Sequence, residues 1–570
     1  MFSLFGRPIA GQIVERGVAI PMRDGVVLRA TLLRPDDGAR HPVLIYRTPY
    51  GAEAAVEAYT TFRRAADRGY VVIAQDVRGR YRSDGRFDPY RQEGKDGYDT
   101  IEWAAAQPWS DGKVGTFGLS YPGAVQWLAA IEAPPHLAAM VPAMTFSRPT
   151  NFWYAGGLTD LSWPAWIWLN IGPDARQRGG MAGPQTAAEA RDAWRTLEPE
   201  LTNRLPLDRV PELADIAPWY LEWLSHPAND PWWDWADLTN KYDRVNAAVL
   251  NISGWHDDNY GPEGALTNHL GLLASRRGRG GDPRTQLILG PWVHGVAGMN
   301  NRTAQAHSGE RVFGAAAGID YDETILRFMD HYLRDLPNGA DRDPPVRAFV
   351  MGENRWVTAD RWPLPGSEPT RFEFHLAAKG AGRLLSRPAA EGHASFPSDP
   401  ERPFVDPFAG RSGAHDYRAL ADRADVLVFE TEPFAAPLRI LGNITVRLTV
   451  SVDAPDADLW VRLFDVAPDG TSWNLMSPGL DAVRLSARPG EAPLVPGRPT
   501  VVELPDLLTG NQFAAGHRLR AVVMTTFMPY FARNLQTGRS EISSAETRPA
   551  RITLHTGPGT DAYLVLPVIP

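Results

Sequence analysis

Short apolar, β-branched runs alternate with helix-like segments through the first part of the chain. Residues 70–74 (Tyr-Val-Val-Ile-Ala) form one such run, and residues 100–106 follow it with helical spacing. Alternation of this kind is typical of a mostly parallel sheet covered by helices. Because the apolar runs resume near Val245, the pattern predicts one α/β domain built from residues 1–145 and 241–345.

The intervening segment, residues 146–240, has a different pattern. It holds ten of the nineteen tryptophans, and pairs such as Trp219 and Trp223 are spaced as on a helix, without strand-like alternation. We interpret it as a helical insertion where an α/β domain carries a cap over its site. Some of these rings are expected to line an apolar pocket, while most pack the cap helices.

Beyond residue 345 the helical pattern fades and apolar positions alternate with polar ones. Residues 445–450 and 519–524 show this two-residue period, and turn-forming sequences such as Ala-Pro-Asp-Gly at residues 467–470 separate the runs. The pattern is typical of antiparallel strands packed in two layers. It predicts an all-β sandwich over residues 346–570.

A Gly-Leu-Ser-Tyr-Pro-Gly stretch at residues 118–123 joins a β-rich run to an apolar helical run. A serine at such a turn is the signature of a nucleophile elbow, where small residues must flank the strained serine. Gly118 fits this pattern, whereas Pro122 stands where the second glycine is usual and Gly123 comes one position later. Since a Gly-x-Ser tripeptide alone is more often an ordinary turn, Ser120 is a candidate that depends on partners elsewhere in the chain.

Those partners follow in the order that an α/β-hydrolase requires, an acid and then a histidine, each just after a strand. One apolar run opens into Gly-Trp-His-Asp-Asp at residues 254–258, and another opens into Gly-Pro-Trp-Val-His at residues 290–294. The first segment offers Asp257, or its neighbour Asp258, as the acid. The second offers His294 as the base.

The elbow and these two segments resemble the cocaine esterase family of serine hydrolases. This family also includes α-amino-acid ester hydrolases, cephalosporin acylases and X-Pro dipeptidyl peptidases. The resemblance runs nearly end to end and extends to residues 21–26, 75–79 and 511–538. It implies an α/β fold class, with an α/β-hydrolase domain, an inserted helical cap and a C-terminal all-β, jelly-roll-like sandwich.

The resemblance also implies roles for residues of the site. Ser120 would be the nucleophile, Asp257 the acid of the triad and His294 the base. The oxyanion hole would combine the backbone N–H of Tyr121 with the hydroxyl of Tyr50, which follows an early apolar run.

Tryptophans of the cap are implied as substrate-binding residues. Trp153 and Trp166 correspond best to pocket residues of the family. Trp168 is an alternative to Trp166, because a small gap leaves two registers open.

The leading interpretation is a serine carboxylesterase that cleaves small esters with an apolar or aromatic acyl group through an acyl-enzyme. The main alternative within the family is an α-amino-acid ester hydrolase or β-lactam acylase, whose carboxylates hold the substrate's ammonium. Two positions where the family carries them are Asn259 and Tyr260 in this chain, which leaves Asp258 or Asp160 as substitutes. X-Pro dipeptidyl peptidase activity is less favoured, because no large N-terminal extension is evident. An inert binding protein that uses the sandwich is the alternative of another class.

Composition excludes several other classes of function. The 67 acidic and 58 basic residues give a net charge of −9, which offers no broad basic field for nucleic acid. The absence of cysteine excludes disulfides and thiolate metal sites, and no His-Glu-x-x-His or phosphate-loop motif occurs. We therefore expect no cofactor and no metal, with a small-molecule ester as the partner and no nucleic acid.

The predicted location is cytoplasmic. Residues 1–8 lack the basic start and long apolar stretch of a secretion signal, and no apolar run approaches the ~20 residues that span a bilayer. We therefore expect no membrane partner. The sequence leaves the oligomeric state, including a homo-oligomer, open.

Overall fold

The structure, a computed structural model, describes residues 11–278, 280, 284–377, 381–487 and 494–570. The segment 1–8, on which the expected location rests, lies outside these ranges. Among the described residues, no helix combines the length and apolar character that crossing a bilayer requires.

The described residues up to Ala359 form an α/β domain around a ten-stranded sheet of order β1-β2-β4-β3-β5-β6-β9-β10-β13-β14. From β4 to β13 the neighbouring strands run parallel. The carboxyl ends of parallel strands meet at one edge of a sheet, so the loops after β3, β5, β9 and β10 lie together. The strands of this part are β1 (Gln12–Pro21), β2 (Val27–Pro35), β3 (His41–Thr48), β4 (Val71–Asp76), β5 (Ser110–Leu119), β6 (Leu137–Ala143), β7 (Tyr154–Ala155), β8 (Leu158–Thr159), β9 (Ala248–His256), β10 (Thr285–Val293), β11 (His307–Ser308), β12 (Arg311–Val312), β13 (Val346–Val350) and β14 (Arg355–Ala359).

Helices cover both faces of this sheet. Val71 and Ile73 of β4 enter the core shared with the cap, whereas Val72 and Ala74 enter the core on the opposite face. Successive strand residues point to opposite faces, so burial on both sides explains the unbroken apolar runs of the sequence. The helices are α1 (Ala52–Ala58), α2 (Thr60–Asp67), α3 (Glu93–Ala105), α4 (Tyr121–Ala130), α5 (Trp163–Trp166), α6 (Gly172–Gly179), α7 (Ala187–Asn203), α8 (Pro211–Ala214), α9 (Pro218–Leu224), α10 (Glu263–Gly278), α11 (Val296–Asn300) and α12 (Tyr321–Arg334).

The segment interpreted as a helical cap, residues 146–240, contains α5 to α9. It also contains the short β7–β8 hairpin and a π-helical turn, Ile167–Ile171, directly after α5. Helix α7 begins with a capping box in which Thr186 and Glu189 bond to each other's backbone N–H groups. The tryptophans pack mainly against one another, so the cap has an aromatic core of its own.

The C-terminal part is an all-β sandwich, as predicted. Val446 and Leu448 of β19 point into its core, while Arg447 between them lies on the other face. Its strands are β15 (Glu368–His375), β16 (Gly382–Leu385), β17 (Gly392–Ser398), β18 (Leu427–Glu430), β19 (Leu438–Val452), β20 (Asp458–Val466), β21 (Ser472–Asn474), β22 (Ala482–Arg484), β23 (Thr500–Phe513), β24 (Arg518–Met524), β25 (Ala550–Thr556) and β26 (Ala562–Val568).

The boundary before the sandwich lies later than the predicted residue 346. Strand β13 pairs in parallel with β10, and β14 pairs with β13, so the first sheet continues to Ala359. Residues 346–350 (Val-Arg-Ala-Phe-Val) are a short apolar run with one polar side chain, which suits a strand of either sheet. Their partner is distant in sequence, and a local pattern does not show which sheet a strand joins.

Candidate active site

Ser120 lies in a strained turn between β5 and α4. Its backbone has φ 70° and ψ −129°, a conformation that non-glycine residues rarely adopt. A Cβ at Gly118 would lie 2.5 Å from Cβ of Pro122, and a Cβ at Gly123 would lie 2.6 Å from the carbonyl oxygen of Ala143. The second glycine is therefore needed one position later than usual, where α4 crosses β6, and proline is tolerated in the first turn of the helix.

His294 and Asp257 meet at the ends of adjacent parallel strands, β10 and β9. Nδ1 of His294 lies 2.9 Å from Oδ1 of Asp257. The same oxygen accepts the backbone N–H groups of Asn259 at 3.1 Å and Tyr260 at 3.3 Å, which fixes the carboxylate. Burial favours the neutral ring, but the charge and hydrogen bond of Asp257 outweigh it and raise the pKa of His294 above its ordinary value.

Asp258, the alternative acid, is engaged elsewhere. Its carboxylate accepts a hydrogen bond from Ser412 of the sandwich. Burial raises the pKa of Asp258 above its ordinary value. It is Asp257 that accepts the hydrogen bond from Nδ1 of His294, which favours Asp257 as the residue that orients the ring.

A cavity of ≈ 410 Å³ brings Ser120 and His294 together with Tyr50 and Trp166 in its walls. Nε1 of Trp166 donates to the hydroxyl of Tyr50 at 3.0 Å. Burial raises the pKa of Tyr50 to about 12, although hydrogen bonds to Trp166 and Ser120 oppose the rise. The phenol therefore stays protonated at neutral pH and can act as a hydrogen-bond donor beside Ser120.

Tyr121 is the first residue of α4, and the N–H groups at a helix start have no partner within the helix. Its side chain is buried in the core, where the hydroxyl donates to Oε1 of Glu93 at 2.7 Å. Glu93 in turn forms a buried ion pair with Arg47 at 2.7 Å. The backbone of Tyr121 is thus anchored next to Ser120 by its own side chain.

Of the three tryptophans expected in the pocket, only Trp166 is in the wall of this cavity. Trp153 is fully buried and packs in the cap, with its ring centroid 5.0 Å from that of Trp223. Trp168 donates its indole N–H to the carbonyl oxygen of Ala190 at 3.0 Å. Trp153 and Trp168 are therefore part of the packing of the cap. The presence of a tryptophan in this segment does not by itself predict that the residue lines the cavity.

Tyr260 lies close to Ser120 and His294, and the sequence did not predict that its side chain would be there. Its hydroxyl lies 3.0 Å from that of Tyr90, and burial raises its pKa above the ordinary value, an effect that the nearby Ser120 hydroxyl partly opposes. Its ring centroid lies 5.8 Å from that of His294. The only sequence signal was its position, three residues after Asp257.

Within the described ranges, no three His, Asp or Glu side chains cluster as a metal site would require.

Comparisons with known proteins cover the chain from end to end. A profile for X-Pro dipeptidyl-peptidase (S15 family) matches residues 24–296, and one for the X-Pro dipeptidyl-peptidase C-terminal non-catalytic domain matches residues 338–565. Cocaine esterase of Rhodococcus sp. (strain MB1 Bresler) is 32% identical over 98% of this chain and 98% of its own. A putative serine esterase of Mycobacterium bovis is 26% identical, with 90% of each chain covered.

Two solved structures share the fold. An aminopeptidase from a marine sediment archaeon, Thaumarchaeota archaeon, has a TM-score of 0.79 at 24% identity and covers 100% of this chain and 99% of its own. An α-amino acid ester hydrolase has a TM-score of 0.78, also at 24% identity, and covers 99% of this chain and 98% of its own. At 32% identity with the Rhodococcus protein along nearly its whole length, the chain belongs to the cocaine esterase family of serine hydrolases.

Proposed function

We propose that the protein is a serine carboxylic ester hydrolase with Ser120 as its nucleophile. The observation that carries the proposal is the 2.9 Å contact between Nδ1 of His294 and Oδ1 of Asp257. The side chain of His294 lines the same cavity as Ser120. A histidine bonded to a carboxylate at Nδ1 takes up a proton at Nε2, and the imidazolium that forms is stabilised by the carboxylate. This is the arrangement that a serine hydroxyl needs in order to attack a carbonyl.

The proposed reaction has two stages. As Oγ of Ser120 bonds to the ester carbonyl carbon, its proton passes to His294, and the carbonyl oxygen becomes an oxyanion. The hydroxyl of Tyr50 and the backbone N–H of Tyr121 donate to that oxyanion. The bond to the alcohol oxygen then breaks, the alcohol takes the proton from His294, and an acyl-enzyme remains. Water, deprotonated by His294, releases the acid in the same way.

An apolar substrate is supported by the walls of the cavity and by its size. Aromatic rings such as Trp166, Phe62 and Phe117 contribute to the lining. Pockets of about 300–1,000 Å³ with mainly apolar walls suit small organic ligands. Two relatives named as esterases are consistent with an ester as the substrate.

An α-amino-acid ester substrate is less well supported. Asp160 and Asp258, the carboxylates available to hold an ammonium, line a separate cavity of ≈ 40 Å³ rather than the one that contains Ser120. Burial raises the pKa of Asp160 to about 7, which weakens it as an anion at neutral pH. We expect a phenyl-containing ester without an α-amine to have a higher kcat/KM than its matched amine. The reverse preference would favour the amino-acid ester hydrolase.

Covalent labelling tests the nucleophile. A fluorophosphonate should add one adduct to the wild-type protein, detected by intact mass, and none to Ser120→Ala. The control Ser225→Ala removes a serine hydroxyl of the cap that bonds to the carbonyl oxygen of Glu222, and it should label like the wild type. Labelling that persists in Ser120→Ala would overturn the assignment. A wild-type protein that neither labels nor hydrolyses any ester would revive the inert binding protein.

A further inference from the structure

The cavity around Ser120 extends from the edge of the sheet toward both faces of the sheet. One part, the cap arm, is lined by Trp166 and Asn170, and Trp166 packs against the core that the cap shares with the sheet. The other part lies between α2, α11 and α12, against the core of the opposite face. We call it the helical arm, and it is lined by Tyr59, Phe62, Val296, Asn300 and Tyr321.

The helical arm has an aromatic floor. The rings of Tyr46, Phe62 and Phe117 contact one another, with centroids 5.2 Å apart for Tyr46 and Phe62 and 5.6 Å apart for the other two pairs. All three side chains are buried and line the cavity. Offset and edge-to-face contacts with such rings favour a flat apolar group over a polar one.

The carboxylate at the far end of the helical arm is already satisfied, whereas the hydroxyl of Tyr321 has no hydrogen-bond partner among the described residues. Asp322 accepts hydrogen bonds from the hydroxyls of Thr60 and Thr61, and the guanidinium of Arg64 lies 3.5 Å away. A carboxylate with these partners has its charge largely offset, so it does not require a cation from a ligand. The arm is therefore suited to an uncharged group, and its aromatic floor favours a flat one.

The direction of the reaction decides which part of an ester enters each arm. Tyr50, the proposed oxyanion donor, packs on the cap side, whereas Val296, two residues after His294, packs on the side of the helical arm. The carbonyl oxygen must face Tyr50, and the leaving oxygen must reach His294 to take its proton. The group attached to the leaving oxygen therefore points along the segment that follows His294.

We propose that the helical arm is the binding site for the alcohol portion of the ester, and that it selects esters of bulky apolar or aryl alcohols. The inference rests on the proposed function and adds to it a second specificity site, separate from the cap. The acyl group occupies the cap arm beside Trp166. Selection by such a pocket is worth about 10- to 200-fold in kcat/KM for a well-filled apolar contact.

The test uses three esters that separate the two halves of a substrate: methyl acetate, 2-naphthyl acetate and methyl 2-naphthoate. Val296→Trp places a large ring in the helical arm. We expect the ratio of kcat/KM for 2-naphthyl acetate over methyl acetate to fall at least tenfold. The ratio for methyl 2-naphthoate over methyl acetate should keep its wild-type value, because the bulky group is then on the acyl side.

A second variant covers the case in which Val296→Trp is poorly folded. Tyr59 is 40% exposed at the edge of the arm, so Tyr59→Ala removes a wall of the arm without opening the core. We expect it to raise KM for 2-naphthyl acetate several-fold while its melting temperature stays near that of the wild type. Fluorophosphonate labelling of each variant checks that the nucleophile is intact.

Deacylation gives an independent readout, because methyl acetate and 2-naphthyl acetate form the same acetyl-enzyme. The rate at which that intermediate is hydrolysed should be alike for wild type and Val296→Trp. Selective loss of methyl 2-naphthoate would place the acyl group in the helical arm and overturn the proposal. Equal loss of all three esters would overturn it as well. Failure of the proposed function would appear differently, as a wild-type protein that hydrolyses none of the three and does not label.

Discussion

His294 is the single residue whose surroundings say most about the chemistry. Its ring is held between a fully buried carboxylate, Asp257, and the cavity that contains Ser120. The two effects on its proton affinity oppose each other, and the charge of Asp257 prevails over burial. As the proposed base, His294 is neutral, and therefore competent, only above its own pKa.

The pH dependence of kcat/KM follows from this balance. Because the pKa of His294 is raised above 6.5, the acid limb for a neutral ester should have its midpoint above pH 6.5, with activity lost as pH falls through it. Asp257→Asn removes the charge and should move that midpoint to lower pH. It should also lower kcat by about 10⁴, as when a triad carboxylate is neutralised.

The neighbouring carboxylate provides the matched control. Asp258→Asn should move the midpoint less than Asp257→Asn, because Asp258 bonds to Ser412 rather than to the ring. Both profiles are measured with the same neutral ester. A larger displacement in Asp258→Asn would exchange the roles assigned to the two aspartates.

Tyr50 is the second residue whose role can be isolated by removing one atom. Tyr50→Phe deletes only the hydroxyl that lies between Trp166 and Ser120, and kcat should fall about 100-fold with little change in KM. Tyr260→Phe removes the other hydroxyl next to Ser120, one that is engaged with Tyr90, and its loss in kcat should be smaller. If Tyr260→Phe proves the more damaging, the oxyanion donor is Tyr260.

At the scale of elements, one buried side chain joins the loop after β3 to the cap. Nε of Arg80 donates to the carbonyl oxygen of Pro49 at 2.9 Å, next to Tyr50, and Nη1 donates to that of Ile171 at 3.0 Å. Ile171 ends the π-helical turn that follows Trp166. Arg80 therefore fixes the two segments whose side chains meet in the hydrogen bond between Trp166 and Tyr50.

Arg80→Lys should weaken this coupling, because an ammonium cannot reproduce the planar fork that reaches several carbonyl groups at once. We expect kcat for a small ester to fall roughly 10-fold or more, with a smaller change in KM. In the Tyr50→Phe background the same substitution should cost little, because the group it positions is already absent. Additive losses in the double variant would show that Arg80 acts independently of Tyr50, and thermal melts of all four proteins measure any loss of stability.

The same elements show what sequence can and cannot predict. Local patterns correctly indicated the strand near residues 70–74, which is β4, and the helix at residues 100–106, which continues α3 to Ala105. The prediction of the fold class was confirmed because strand, turn and helix signals are local. The family was confirmed by a sequence match that extends along nearly the whole chain. The role of Arg80 and the end of the first sheet at Ala359 were missed, because each depends on contacts between residues far apart in the chain.

The cap tryptophans show the same limit of prediction from sequence. Their helical spacing correctly suggested α9, but it does not tell a ring that packs the cap from one that faces a cavity. Trp166 is the last residue of α5, and it reaches Tyr50, which is far from it in the sequence. The aromatic floor at Phe62 and Phe117 comes from the other face of the sheet, which no pattern within the cap reveals.

At the scale of the whole molecule, the cap is tied to the sandwich as well as to the sheet. The N–H of Leu161 donates to the carbonyl oxygen of Tyr530, and the N–H of Ala532 donates to that of Thr159, both at 2.9 Å. These are strand-like bonds between two domains. Between them lies Asp160, whose buried side chain lines the same small cavity as Asp257 and Asp258. The three parts of the chain therefore meet at one ionisable group.

Asp160 should make the stability of this junction depend on pH. Burial raises its pKa from 3.8 to about 7 in the folded protein, so between roughly pH 4 and 7 the folded state keeps a proton that the unfolded chain has lost. The free energy of unfolding contributed by this group therefore falls as pH rises through that window, by up to ~4 kcal/mol for a fully buried group. Above pH 7 the cost of burying the charge is complete.

Asp160→Asn removes that titration while keeping an oxygen to accept the backbone N–H of Ser162, now bonded at 2.7 Å. The melting temperature of the variant, relative to wild type, should therefore be higher at pH 8 than at pH 5. Asp192→Asn, on an exposed side chain of α7, should show no such change. All other titrating groups are common to the proteins compared, so they cancel in the difference. A difference between Asp160→Asn and wild type that is the same at both pH values would mean that this carboxyl is ionised in the folded protein throughout.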